Sequence, residues 1–200
     1  MIAVLLVVLG IAAAAMVLLK PLRASAHCDT MDGPVVQAGR LALEHGNVNY
    51  AASWVQPDGE AELRAAFDHS RAVRGLNDDA RELADRYFLE NLVRIHRAGE
   101  GAGFDGLKPS GAAVDEKVLA ADRCIEVGSL DPLAGLVPAE QWPELQRRFD
   151  NAIALKNYDV DDVAAGRAYI AAYVRFFKFV EGEDHDHHQH GHRHADLVHH

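Results

Sequence analysis

The sequence has 200 residues, with 20 basic and 30 acidic side chains, and its formal net charge is −10 when all twelve histidines are neutral. This length suffices for one domain with a continuous core. The negative charge argues against nucleic acid and anionic lipid surfaces as partners, and it favours cations. Since histidine titrates just below neutrality, the charge also depends on pH.

The first 26 residues have the pattern of an export leader. Residues 2–19 contain no charged side chain, and the Ala-x-Ala motif at 24–26 is typical of signal-peptidase sites. Lys20 and Arg23 follow the apolar run and no basic residue precedes it, so an uncleaved N-terminal membrane anchor remains the alternative. We expect an exported protein, periplasmic or extracellular, in which residues 1–26 are a signal peptide or an anchor.

Cleavage at this motif would make His27 the first residue of the mature protein. Its free α-amine and its imidazole can then chelate one metal ion, and Cys28 adds a thiolate. Asp29 and Asp32 add carboxylates a short loop away. This compact set of nitrogen and sulfur donors suits square-planar Ni(II) or Cu(II).

The mature sequence predicts an all-α fold made of two similar halves. Helix-forming residues dominate, and strand signals are weak. Residues 34–101 align with residues 117–182, and the matched positions keep their order with one-residue slips. We therefore predict a helical domain over residues 27–182, a bundle of two three-helix repeats with approximate two-fold symmetry.

Turn and cap residues set the predicted helix ends. Gly46 is typical of the position after a helix, Asp58 is a candidate N-cap, and Asn77 begins a polar capping cluster. The glycine-rich residues 99–111 predict a loop between the halves. The predicted helices cover residues 35–45, 58–73 and 78–98 in the first half, and residues 118–127, 138–155 and 161–181 in the second.

His96 is a position where the two halves differ in chemistry, because Phe177 stands at the matching place. Helical spacing puts His96 on the apolar face of its helix. It is either a core histidine that bonds a neighbour, or a further imidazole for the N-terminal site. In the second case a zinc site of His27, Cys28, an aspartate and His96 is the non-redox alternative. Glu100 matches Glu181 and is interpreted as structural.

The end of the chain, residues 183–200, is a low-complexity segment that we expect to be disordered without metal. Neutral imidazoles at close spacing favour nickel, copper, zinc or cobalt, and such a segment suits metal capture better than catalysis. The predicted ligands are His185, His187, His188, His190, His192 and His194.

The two cysteines allow a different interpretation. In an exported protein Cys28 and Cys124 could form a disulfide that fixes the N-terminus, which would give a non-catalytic helical interaction protein. An oxidised Cys28 could not bind metal as a thiolate. Cys124 lies in a helical pattern where a small buried thiol is ordinary core filling.

The residues at 27–29, followed by a loop with Gly33 and a helical bundle, resemble the start of nickel superoxide dismutase. That family begins His-Cys-Asp and folds these residues into a nickel hook. Asp32 and Val35 stand where the family has a second cysteine ligand and a loop tyrosine. The resemblance implies the amine, the Cys28 amide and the Cys28 thiolate as ligands, and it makes a redox metalloenzyme the alternative function.

A broader resemblance covers the whole mature chain. Residues 27–36 and 92–101 are similar to an uncharacterised family of exported bacterial proteins, which brings no established activity. The sequence thus predicts an exported transition-metal-binding protein, with nickel or copper preferred, that uses a processed N-terminal hook and a histidine-rich tail.

Overall fold

The computed structural model describes residues 27–112 and 114–182. The leader and the histidine-rich tail lie outside these residues. Seven α-helices form in the described part, and the only strand-like pairing there is an isolated parallel bridge between Thr30 and Lys108. The helices are α1 (Pro34–His45), α2 (Asn49–Ala52), α3 (Glu60–Val73), α4 (Asp78–Gly99), α5 (Glu116–Val127), α6 (Trp142–Leu155) and α7 (Val163–Glu181).

Each half is organised around one long helix. In the first half α1 and α3 pack against α4, and Leu92 and Phe88 of α4 are fully buried between them. In the second half α5 and α6 pack against α7, which buries Phe176 in the same way. The predicted all-α bundle is confirmed. The first half contains one helix more than the predicted three, the short α2, and the two-fold symmetry stays a prediction.

The helix ends follow the predicted cap residues in most places. Gly46 ends α1 with a left-handed φ of 67°, a conformation that glycine adopts at little cost, and the Asn77 side chain accepts a hydrogen bond from the Ala80 amide. The prediction for Asp58 is wrong, because this residue lies inside a 3₁₀ turn at Pro57–Gly59 and Gly59 precedes α3. A similar turn, Ala139–Gln141, delays the start of α6 to Trp142.

Polar contacts join the two halves along one seam. Arg167 of α7 donates to the Val55 carbonyl at 2.9 Å and pairs with Glu60 at 2.5 Å. Asp161 accepts hydrogen bonds from Asn47 and Asn49 of the first half. Trp54 packs against the cores of both halves, so the seam continues into apolar contact. None of the helices in the described part of the chain has the length and apolar character needed to cross a membrane.

We expect Gly166→Ala to destabilise the protein because α7 touches the first half at this glycine. A Cβ atom at position 166 would lie 2.1 Å from the Ser53 hydroxyl and 2.8 Å from the Tyr158 ring. Overpacking of this kind costs about 1–3 kcal/mol of unfolding free energy, which urea titration would measure. Gly75→Ala is the control, since no atom lies within 4 Å of its added Cβ. Equal midpoints for both variants would contradict this packing.

Candidate functional site

The first described residues, 27–33, form a tight turn that ends at the start of α1. The Thr30 side chain donates to the His27 carbonyl at 3.0 Å, and the Gly33 amide donates to the Thr30 carbonyl at 2.9 Å. A Cβ on residue 33 would lie 2.1 Å from the His27 carbonyl oxygen. The turn therefore requires glycine at this position, and it fixes where His27 and Cys28 lie.

The loop between the halves holds this turn in place. We call residues 104–111 the clasp. The Lys108 amide donates to the Asp29 carbonyl at 2.8 Å, and the Met31 amide donates to the Lys108 carbonyl at 3.0 Å. At the end of the clasp the Gly111 amide donates to the Asp32 carboxylate at 2.9 Å. The segment that the sequence predicts as a linker thus pairs with the N-terminal turn.

His27 is inserted against the second half of the bundle. The residue is 9% exposed, and its ring stacks on Phe177 with ring centroids 6.0 Å apart and planes 6° from parallel. Nε2 contacts the Asp122 carboxylate, and Nδ1 is buried without a hydrogen-bond partner. The other oxygen of Asp122 accepts a hydrogen bond of 2.7 Å from the Tyr173 hydroxyl. Asp122 thereby links His27 to the core of the second half.

His96 faces the same region from the first half. It is 5% exposed, and Nδ1 lies 2.7 Å from the Trp54 carbonyl oxygen. A carbonyl only accepts, so Nδ1 carries the proton in the neutral ring and Nε2 keeps its lone pair. Nε2 is buried without a hydrogen-bond partner, 3.8 Å from a Glu100 oxygen. Burial lowers the pKa of His96, which keeps the ring neutral at pH 7.

The Cys28 thiol lies in a negative environment. Burial raises its pKa far above the usual range, and the charges of Glu100, Asp29 and Asp122 raise it further, while Arg97 lowers it. A thiol in this setting stays protonated at neutral pH unless a cation takes the place of the proton. The neighbouring carboxylates that disfavour the thiolate also attract a positive ion, whereas burial itself disfavours any unpaired charge.

Asp29 and Arg97 form a buried pair beside the thiol. Asp29 Oδ1 is 3.6 Å from Arg97 Nε, and both atoms are buried without a hydrogen-bond partner. Arg97 also donates to Glu100 at 3.1 Å. Burial raises the pKa of Asp29 to about 6, with the Arg97 charge opposing this rise. Glu100 therefore has contacts to both Arg97 and His96, which the interpretation from the sequence missed.

The structure brings some predicted site residues together and leaves others apart. His27, Cys28 and Asp29 lie in the turn. His96 contacts the Trp54 ring and Glu100, and the charge of Glu100 acts on Cys28. Asp32 is exposed, and its carboxylate bonds the clasp. Within residues 27–112 and 114–182, no three His, Cys, Asp or Glu side chains are grouped so as to hold a metal ion. The six predicted tail ligands, His185 to His194, lie outside the described residues.

The cysteines do not form the disulfide of the alternative interpretation. Cys28 and Cys124 are both free thiols in this structure. Cys28 packs against the core of the first half, and Cys124 is enclosed in the core of the second half. Each thiol is thus surrounded by a different set of side chains.

Two site residues could have been found from the internal alignment. Asp122 takes the place that Gly39 holds in the first half, and Tyr173 takes the place of Leu92. In both cases a polar side chain matches a buried apolar position of the other half. The same kind of difference distinguishes His96 from Phe177. We expect such substitutions wherever one half of a repeat carries a site.

Residues 32–179 match the model of a family of unknown function, DUF6448. No curated protein and no solved structure matches the chain. The matched span contains His96, Asp122 and Tyr173, and it begins after His27 and Cys28. The predicted likeness to an uncharacterised family is confirmed at this level. Export, and the resemblance of the N-terminus to nickel superoxide dismutase, stay predictions.

Proposed function

The chain belongs to the DUF6448 family, whose function is unknown, and we propose from its site that it is an exported transition-metal-binding protein with nickel or copper preferred. The ion is held where the processed N-terminus meets the seam between the halves. His27 and Cys28 supply the hook, and His96 completes it from α4. One observation carries the proposal: His27 Nδ1 and His96 Nε2 are buried without hydrogen-bond partners, and the Cys28 thiol next to His27 in the turn is desolvated.

The histidines are already arranged as ligands. A metal-binding histidine usually has its second ring nitrogen fixed by a carboxylate or a backbone carbonyl, which sets the tautomer and the ring orientation. Asp122 contacts one ring nitrogen of His27, and the Trp54 carbonyl holds one of His96. The remaining nitrogens, Nδ1 of His27 and Nε2 of His96, are buried without partners. An unpaired buried nitrogen is costly, and a bound ion would satisfy it.

The charge around the thiol supports a cation. Glu100, Asp29 and Asp122 act on Cys28 with negative charge, and the Arg97 charge opposes them. A divalent ion would neutralise this excess and displace the thiol proton. Metal affinity should therefore rise with pH, because binding releases that proton.

Backbone nitrogens are part of the proposed donor set. A cleaved chain offers the α-amine of His27 and the amide of Cys28, which lie beside the imidazole and the sulfur. Because two donors come from the backbone, the proposed site does not need three side-chain ligands in place before metal binds. Asp29 remains a candidate ligand next to the thiol, and Asp32, which bonds the clasp, is left out of the proposed set.

The histidine-rich tail is proposed to recruit metal from solution. It contains no cysteine, so a sulfur-to-metal charge-transfer band cannot come from the tail. For affinity measurements, a background in which the eight histidines after Gly182 are serine separates the two sites. A redox role stays the alternative activity, and a turnover assay of the loaded protein with superoxide tests it.

Two substitutions test the proposed site in this serine-tail background. Cys28→Ser should abolish the charge-transfer band that appears when Ni(II) is added to the mature chain. His96→Gln should weaken Ni(II) binding about tenfold or more, because the amide offers no imidazole nitrogen to the ion. His69→Gln is the matched control, since His69 is exposed on α3. Unchanged binding in both site variants would overturn the proposal.

A further inference from the structure

We infer that Asp122 is a positioning residue that selects how His27 binds metal, and this inference rests on the proposed function. Asp122 contacts Nε2 of His27 and so leaves Nδ1 as the free ring nitrogen. Nδ1 is the nitrogen closer to the backbone, and only it can close a small chelate ring with the α-amine of the same residue. Nε2 points away from that amine and could bind an ion only as a single donor.

Tyr173 keeps Asp122 in the required orientation. Its hydroxyl donates to Asp122 Oδ1 at 2.7 Å, which leaves Oδ2 for His27. Tyr173 is 6% exposed, and burial next to Asp122 raises its pKa well above the usual range, so the hydroxyl remains a donor. Its ring also contacts Phe177 at 4.6 Å between centroids, and Phe177 stacks on His27. Both the carboxylate and the ring stack therefore hold the imidazole at one angle.

These contacts give the second half of the bundle a defined part in the site. Asp122 lies on α5 and Tyr173 on α7, whereas His96 lies on α4 of the first half. Neither residue has a counterpart of the same chemistry in the first half, where Gly39 and Leu92 occupy the matching positions. These two differences between the halves thus lie next to His27: Asp122 contacts its ring, and Tyr173 holds Asp122.

A double-mutant cycle tests this role. Asp122→Asn is made in the mature serine-tail chain that begins at His27, and again in the same chain with one glycine added before His27. Ni(II) affinity is measured for all four by competition with a chelator. Asp122→Asn should weaken binding about 10–100-fold in the first chain, as loss of a residue that orients a ligand does. In the extended chain, where the chelate ring with the amine cannot form, the loss should be several-fold smaller.

The controls separate this inference from the proposed function. Glu126→Gln, one turn further along α5 and exposed, should leave affinity unchanged. Tyr173→Phe keeps the ring and removes only the hydroxyl, so it gives a second measurement if Asp122→Asn fails to fold. Equal losses in both chains would show that Asp122 acts on the fold alone, and no loss in either would also overturn the inference. If the parent chain itself does not bind Ni(II), the proposed function fails.

Discussion

A mature chain with one extra glycine before His27 should bind Ni(II) at the ordered site about a hundredfold more weakly than the chain that begins at His27. The extra residue turns the α-amine into an amide and moves the free amine away from the imidazole. The site then loses a strong nitrogen donor and its chelate ring, while every side chain remains. A hundredfold loss corresponds to about 3 kcal/mol of binding free energy.

The comparison is made in the serine-tail background, with affinity taken from competition titration and loading from the sulfur-to-nickel band. His27 is buried against Phe177, so an added glycine has to fit next to a buried residue and could disturb the fold. Unfolding in urea without metal therefore accompanies the titration, to show that the extended chain keeps its fold. Equal affinity in the two chains would show that the free amine of His27 is not a ligand.

Gly33→Ala should disable the site without changing any proposed ligand. Its added Cβ would lie 2.1 Å from the His27 carbonyl and 2.9 Å from the Thr30 hydroxyl, and backbone atoms cannot yield as a flexible side chain can. Residue 33 has φ −72° and ψ 161°, which alanine adopts freely, so the effect comes from the clash alone. The turn must open and take His27 away from Phe177 and Asp122.

We expect a loss of Ni(II) affinity of about tenfold or more, together with about 1–3 kcal/mol of unfolding free energy. Gly103→Ala in the loop between the halves is the matched control, because its added Cβ meets no atom within 4 Å. Hydrogen exchange at the Met31 and Lys108 amides would show directly whether the turn separates from the clasp. Full affinity and protected amides in Gly33→Ala would contradict this account of the turn.

The helices were predictable because their signals are local. Gly46 and Asn77 mark ends that depend on backbone conformation and on one hydrogen bond, and the structure places the ends there. Asp58 has the right side chain for a cap, but the proline before it starts a 3₁₀ turn and moves the helix start to Glu60. Where a helix starts after a proline therefore depends on whether a 3₁₀ turn forms first, and the type of the capping residue alone does not determine this.

The site was only partly predictable because its contacts join distant residues. The internal alignment marks Asp122 as different from Gly39, but it does not indicate that Asp122 meets His27, since the two are brought together by the packing of α5 and the N-terminal turn. Glu100 looked structural because its counterpart Glu181 shares its type, yet it lies 3.8 Å from His96 Nε2. Asp32 was predicted as a site residue because it is close to Cys28 in sequence, and in the structure its side chain bonds the clasp.

Native mass spectrometry of the serine-tail protein, recovered from an exporting host and loaded with Ni(II), tests the central claim most directly. The account predicts a chain whose mass begins at His27, with both cysteines reduced, and one bound metal ion that is lost in Cys28→Ser. A chain that keeps its leader, a mass that shows Cys28 bonded to Cys124, or a correctly cleaved chain that retains no ion would each contradict it.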